Sequence, residues 1–120
     1  MPEKSILIVD DEVAVRETLA AILRDAGYEV DLAATVAEGR RLLVQHRYGV
    51  VLADWRLPDG DGSHIANLAS AAGSYAFVMS GYMAHMLPGS VDPRYALTKP
   101  IRAAELLAAV RACIGTAPAS

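Results

Sequence analysis

The chain alternates short apolar runs with longer segments of helical periodicity. Residues 6–9 are all apolar, as expected for a strand that is covered on both faces of a sheet. Over residues 13–26 the apolar positions recur on one helix face, and Gly27 is suited to end that helix. This alternation predicts βα units that build a parallel sheet.

The same alternation continues along the chain. Further strands are predicted at 28–32, 49–53, 75–79 and 95–98, and further helices at 35–47, 63–71 and 102–114. Thr35 and Glu38 resemble a capping box at the start of the second helix. Between 80 and 92 the pattern is weak, and Pro88 and Pro93 leave room only for a shortened or irregular fourth helix. We therefore expect a doubly wound α/β domain with a five-stranded parallel sheet.

Length and composition narrow the class of protein. The 120 residues are predicted to form a single domain, with a core at about 5–114 and a short tail at 115–120. A net charge of −3 gives no basic surface for nucleic acid. No apolar run approaches the roughly 18 residues of a membrane span, and the N-terminus lacks a signal pattern. We expect a soluble cytoplasmic protein that binds neither nucleic acid nor membrane.

Polar side chains follow the predicted strands at the points where the strands end. They are Asp10 and Asp11, Asp54, Ser80 and Lys99. The carboxyl ends of parallel strands meet at one edge of a sheet, so these groups are predicted to converge. Carboxylates bind Mg²⁺ and can attack phosphorus, and a lysine ammonium attracts phosphate oxygens. The sequence therefore predicts a phosphoryl-transfer site.

Simpler explanations remain open for these residues. Asp10 and Asp11 could be charges at a helix N-terminus, where the helix dipole favours acids. Asp54 could be a solvated acid at the end of a strand, and Ser80 a turn residue. Glu12 is interpreted as a first-turn charge with at most a minor role in metal binding.

Four motifs together resemble the receiver domain of two-component response regulators. They are ILIVDDE at 6–12, VVLADWRLPDGDG at 50–62, VMSG at 78–81 and LTKP at 97–100. They occur in the order and at the separations typical of the family, and the resemblance covers essentially the whole chain. The resemblance implies a flavodoxin-like sheet of order 2-1-3-4-5. It also implies a domain that accepts a phosphoryl group from a sensor histidine kinase onto an aspartate.

The resemblance assigns a metal site. Asp54 is the implied phosphoacceptor and also a metal ligand. Asp11 is the implied direct ligand of Mg²⁺ (or Mn²⁺), whereas Asp10 is implied to act largely through water. The backbone carbonyl of Arg56 is implied to complete the protein's share of the coordination shell.

Two further residues are implied to contact the phosphoryl group. Lys99 pairs with its oxygens, and Ser80 is the switch hydroxyl that moves toward it. The peptide bond between Lys99 and Pro100 is expected to be cis, as in the family.

The implied partners are a sensor histidine kinase or a histidine phosphotransfer protein, a downstream effector protein, and a second copy of the chain in a homodimer. We expect a stand-alone phosphoacceptor switch that catalyses only its own phosphorylation and dephosphorylation. The alternative is an adaptor with the receiver fold that works without phosphorylation. A magnesium-dependent phosphatase is disfavoured, because such enzymes usually carry a second aspartate at the position of Arg56.

The sequence departs from the family in the segment that follows Ser80. The family often has an aromatic residue three positions before the lysine, and here that position is Ala96. Strand alternation predicts that Tyr95 points to the opposite face, where it could contribute to a partner surface. Tyr82 is predicted to hinder the water that attacks the acyl phosphate and so to prolong the phosphorylated state.

Overall fold

A parallel sheet of five strands forms the centre of the fold. The computed structural model describes residues 4–81 and 95–116. The sheet contains β1 (Ser5–Val9), β2 (Glu29–Ala33), β3 (Val50–Asp54), β6 (Tyr75–Ser80) and β7 (Ala96–Thr98), and a separate antiparallel pair consists of β4 (Arg56–Leu57) and β5 (Gly60–Asp61). The described helices are α1 (Val13–Asp25), α2 (Val36–Gln45), α3 (Gly62–Ala71) and α4 (Ala103–Ile114).

The strand order confirms the predicted topology. The sheet runs β2-β1-β3-β6-β7 with every neighbouring pair parallel, which is the order 2-1-3-4-5 of its five strands. Each predicted strand and helix within the described residues is present, with ends shifted by one or two residues. The β4–β5 pair was predicted only as a turn. The predicted irregular fourth helix lies largely outside the described residues.

Both faces of the sheet are covered, which explains the continuous apolar runs of the central strands. In β1, Ile6 and Ile8 pack in a core cluster with residues of α1 and α4. Leu7 and Val9 point the other way and pack with residues of α2 and α3. A strand with a helix layer on each side needs apolar residues at every position. This three-layer packing fixes the strand ends from which the site is built.

Helix ends follow the local sequence signals. Gly27 adopts a φ of 95° just after α1, a conformation that glycine accepts without steric cost. The hydroxyl of Thr35 accepts a hydrogen bond from the Glu38 backbone N–H at 3.1 Å, as the capping-box pattern predicted. Within residues 4–81 and 95–116, no helix is long and apolar enough to cross a membrane.

Candidate phosphoryl-transfer site

A cleft of about 260 Å³ opens at the carboxyl edge of the sheet. It is lined by Glu12, Asp54, Trp55, Arg56, Ser80, Gly81 and Lys99. Most of these residues lie at or just after the ends of β3, β6 and β7, where the strand order places three loops side by side. The convergence predicted for Asp54, Ser80 and Lys99 is therefore present in the fold.

Lys99 reaches into the centre of this cleft. Its Nζ atom lies 2.8 Å from Oδ2 of Asp10 and 3.3 Å from Oδ2 of Asp54. It also lies 3.6 Å from a carboxylate oxygen of Glu12. The Lys99 backbone N–H donates to the Ser80 carbonyl at 2.8 Å, which fixes the chain where β7 passes β6. One ammonium group thus contacts carboxylates from two different strand ends and from the start of α1.

Asp10 is held rigidly beneath the lysine. Its side chain is fully buried. One carboxylate oxygen accepts the Glu12 backbone N–H at 2.9 Å, and the other accepts Lys99. The guanidinium of Arg16 donates to the Asp10 backbone carbonyl at 2.8 Å, which ties α1 to the end of β1. These contacts satisfy both carboxylate oxygens, as a buried charge requires.

Three carboxylates could share one cation in this cleft. Oxygens of Asp10, Glu12 and Asp54 all lie within 4.8 Å of one another. Glu12 therefore has a larger place in the site than the sequence indicated, although it is also the N-cap residue of α1. Asp11 is exposed and outside this group, so its direct role in metal binding stays a prediction.

Burial dominates the electrostatics of Asp54. Desolvation raises the pKa of the Asp54 carboxyl above its ordinary value, and the negative charge of Asp10 raises it further. The attraction and hydrogen bond of Lys99, together with the Arg56 backbone N–H, oppose this rise in the pKa of Asp54. The ionised form of Asp54 is therefore less stable in the folded protein than in water. A bound cation would stabilise it, and phosphorylation would remove the buried carboxylate charge.

Lys99 keeps its proton in spite of its position. Burial by itself would lower the pKa of Lys99, but the hydrogen bond and the negative charge of Asp10, assisted by Asp54, raise it overall. The side chain therefore remains an ammonium ion throughout the neutral range. A fixed positive charge at this point can neutralise the oxygens of an incoming phosphoryl group.

The loop after Asp54 is packed tightly against the ends of β3 and β6. The Trp55 N–H donates to the Met79 carbonyl at 2.7 Å, and the Gly62 N–H donates to the Trp55 carbonyl at 3.0 Å. A Cβ atom on Gly62 would lie only 2.2 Å from the Asp54 carbonyl oxygen. Glycine is required at residue 62 because α3 begins directly against the backbone of Asp54.

Ser80 and the segment before Lys99 complete the cleft. Ser80 is buried at the end of β6 and lines the cleft. The Lys99–Pro100 bond is cis, which confirms the expectation. Tyr95 packs edge-to-face on Phe77, with ring centroids 5.6 Å apart, in the core cluster that contains Leu97. Its placement with that core agrees with the predicted alternation. Tyr82, predicted to shield the acyl phosphate, lies outside the described residues.

The donor set fits a divalent cation. Asp10, Glu12 and Asp54 contribute three carboxylates and Lys99 one ammonium, which leaves an excess of two negative charges when all are ionised. All the clustered metal donors are oxygen atoms, the type that Mg²⁺ and Mn²⁺ prefer. The fold and this cleft together define an α/β domain built for phosphoryl transfer.

The chain belongs to the response regulator receiver domain family, whose family model matches residues 6–111. Receiver domains are phosphoacceptor switches of two-component signalling. Among curated relatives, a probable transcriptional regulatory protein, SilR of Salmonella typhimurium, is 35% identical over 111 residues. That match covers 88% of this chain and 49% of SilR, so the chain spans about half the length of this relative.

Solved structures support the same assignment. A CheY-like receiver domain protein from Methanospirillum hungatei JF-1 is 30% identical, with a TM-score of 0.80 and 92% of each chain covered. The receiver domain of the sensor histidine kinase PA1611 from Pseudomonas aeruginosa PAO1 is 27% identical, with a TM-score of 0.80. The match covers 95% of this chain and 99% of the other, and that structure has a magnesium ion coordinated in its active-site cleft.

Proposed function

We propose that this chain is a response regulator receiver domain that accepts a phosphoryl group on Asp54 in a magnesium-dependent reaction. The donor is a phosphohistidine of a sensor histidine kinase or of a histidine phosphotransfer protein. The observation that carries the proposal is the position of the Asp54 carboxylate. It is nearly buried in the cleft, 3.3 Å from the Lys99 ammonium and beside the buried Asp10.

The proposed step is a direct displacement at phosphorus. A carboxylate oxygen of Asp54 attacks the phosphorus atom and forms an O–P bond. The N–P bond of phosphohistidine breaks, and its electron pair returns to the imidazole ring. The product is an acyl phosphate on Asp54, and no oxidant or further reactant is needed. Positioning and charge neutralisation supply most of the catalysis in such transfers.

Residues of the cleft take complementary roles in this proposal. Asp10, Asp11, Asp54 and the backbone carbonyl of Arg56 would hold Mg²⁺ or Mn²⁺, and Glu12 lies close enough to take part. A bound divalent cation supplies neutralisation and orientation of phosphoryl oxygens. The Lys99 ammonium would neutralise the oxygens of the incoming group, and the Ser80 hydroxyl would donate to one of them once the acyl phosphate has formed.

Phosphorylation is proposed to act as a switch and not as one turn of an enzymatic cycle. It adds roughly −1.5 to −2 units of charge to a cleft that already has excess negative charge. The new charge biases Ser80 and its neighbours between two arrangements and alters a protein-binding surface. An effector protein, or a second copy of the chain, then binds the altered surface.

Phosphotransfer tests this function directly. Candidate sensor kinases are labelled with radioactive ATP, freed of nucleotide, and mixed with the parent protein or with Asp54→Asn, each with Mg²⁺ or with chelator. We expect label to move only to the parent and only with Mg²⁺. Asp31→Asn is a matched control, because Asp31 binds the Tyr48 hydroxyl at 2.6 Å outside the cleft and its loss leaves labelling intact.

Two results would contradict the proposal. One is equal labelling of Asp54→Asn, which would place the phosphoacceptor elsewhere. The other is a parent that no kinase labels but that binds its effector as well as Asp54→Asn does. That second outcome would favour the adaptor that works without phosphorylation.

A further inference from the structure

Asp59 caps a helix that lies far from it in sequence. Its carboxylate accepts the backbone N–H of Val36 at 2.7 Å and that of Ala37 at 3.0 Å, across 23 and 22 positions. These are the first two residues of α2. An acidic side chain at a helix N-terminus binds otherwise unpaired N–H groups and is favoured by the helix dipole. The Asp59 carboxylate therefore fastens the turn between β4 and β5 to α2.

The helix does not need Asp59 for its own local cap. Thr35 already supplies the side-chain acceptor for the Glu38 N–H, as its position before the helix dictates. Asp59 takes the two remaining N–H groups that precede the regular helical bonds. The two donors lower the pKa of Asp59, so the carboxylate stays ionised at neutral pH. The N-terminus of α2 is already capped by Thr35, and Asp59 adds a charge-assisted link from this helix to the β4–β5 turn.

The turn also packs against α2 around this link. Leu57 is nearly buried in the same core cluster as Val36. A Cβ atom on Gly60, which has a φ of +156°, would lie 3.3 Å from a Val36 methyl group. The β4–β5 pairing connects this turn to Arg56, because Arg56 lies opposite Asp61. Asp61 in turn caps α3 by accepting the Ser63 N–H at 3.0 Å.

The loop from Arg56 to Asp61 is therefore held at two places, by α2 through Asp59 and by α3 through Asp61. Arg56 is the residue whose backbone N–H donates to the Asp54 carboxylate. Its carbonyl is the backbone group proposed to bind the metal. Any displacement of the loop moves this peptide unit relative to Asp54, and even a displacement of less than an ångström in a group that binds a metal weakens the metal site.

We propose that Asp59 is a positioning residue: by binding the first two N–H groups of α2, it fixes the loop that carries Arg56 and so sets the affinity of the cleft for a divalent cation. This inference rests on the proposed function of the cleft. The coupling is reciprocal, because equilibrium linkage requires that a cation which favours the held loop also strengthens the contact at α2.

Titration of Mg²⁺ tests the role of Asp59 without any phosphotransfer. Trp55 is the single tryptophan and lines the cleft, so its fluorescence reports cation binding. We expect Asp59→Ala to raise the half-saturating Mg²⁺ concentration by about two- to thirty-fold. Asp59→Asn, whose amide oxygen still accepts one N–H, restores part of the affinity.

Thr35→Ala is the matched control for a purely structural effect. It removes the local cap of the same helix and lowers stability, but it leaves the link from Asp59 to α2 intact. We expect its half-saturating Mg²⁺ concentration to match that of the parent. Circular dichroism checks that the variants are folded. If Asp59→Ala does not fold, Asp59→Asn is compared with the parent instead.

Amide exchange gives a second readout at the other end of the link. In the parent, Mg²⁺ is expected to slow exchange of the Val36 and Ala37 amides, and this effect is expected to vanish in Asp59→Ala. A parent that binds Mg²⁺ with the same half-saturation as both Asp59 variants overturns the inference and leaves the proposed function standing. A parent that shows no response to Mg²⁺ overturns both.

Discussion

The ammonium of Lys99 lies 2.8 Å from the carboxylate of Asp10, a residue 89 positions earlier in the chain. The Asp10 side chain has no exposure to solvent, and that of Lys99 is 14% exposed. The pair joins the ends of β1 and β7, which are separated in the sheet by two other strands. Because the Asp10 carboxylate is shielded from water, the ion pair with Lys99 compensates for the cost of its burial.

Replacing Lys99 by methionine is expected to destabilise the fold. The substitution leaves the buried Asp10 carboxylate without its cationic partner and costs about 3 kcal/mol in urea unfolding. Adding Mg²⁺ is expected to raise the free energy of unfolding more in this variant than in the parent, because the carboxylates of the cleft then have no ammonium partner. Arg102→Met removes an exposed cation and serves as the control. Equal losses in the two variants would contradict this account.

Asp54→Asn is expected to have the opposite effect on stability. Burial and the neighbouring charge of Asp10 raise the pKa of Asp54, so ionised Asp54 opposes folding at neutral pH. A neutral amide of the same shape is therefore expected to raise the free energy of unfolding in the absence of metal. The stabilisation by Mg²⁺ should shrink in the same variant. A variant less stable than the parent in chelator would show that Lys99 outweighs burial.

Gly62→Ala tests the close approach between the start of α3 and the end of β3. The added Cβ would lie 2.2 Å from the Asp54 carbonyl oxygen, which is backbone and cannot turn away. We expect a loss of about 1–3 kcal/mol, measured by thermal unfolding, from the forced backbone shift. Gly81→Ala is the matched control, since a Cβ there meets no atom of residues 4–81 and 95–116 within 4 Å. Similar unfolding temperatures for the two variants would rule out the clash.

Acid titration of stability isolates the contribution of Asp59. The N–H groups of Val36 and Ala37 lower the pKa of Asp59 below its ordinary value of 3.8. A carboxyl whose folded pKa is lowered stabilises the fold above its ordinary pKa, and this contribution is lost as the pH falls through the folded pKa. The stability difference between the parent and Asp59→Asn should therefore be constant near neutral pH and shrink below about pH 4. A difference that does not change with pH would point to a cause other than the charge.

The sequence predicted the parts of the site that depend on topology. Asp10, Asp54, Ser80 and Lys99 follow strands, and parallel strands bring their ends to one edge whatever the details of packing. The apolar runs around Leu7 and Leu52 identified strands with two buried faces in the same way. Periodicity and strand-end chemistry were therefore sufficient for the fold class and for most of the cleft.

The sequence could not predict contacts that depend on how loops dock. Glu12 was expected as a helix-start charge, and only the turn from Asp10 into α1 brings its carboxylate to Lys99. The link from Asp59 to α2 joins residues that no local pattern relates, although an aspartate between Pro58 and Gly60 in a turn was a weak signal. A shift of a few ångströms in the backbone of a loop makes or breaks such contacts, and residue types alone do not determine where the loop backbone lies.

Mapping the phosphorylated residue shows whether Asp54 is the phosphoacceptor. The parent is phosphorylated by its kinase with Mg²⁺, and borohydride then reduces the acyl phosphate, which converts a phosphorylated aspartate to homoserine. Peptide mass spectrometry identifies the position. We expect homoserine at residue 54 alone, and only in the sample that contained Mg²⁺. Homoserine at residue 10 or 11, or modification of residue 54 without a divalent cation, would contradict it.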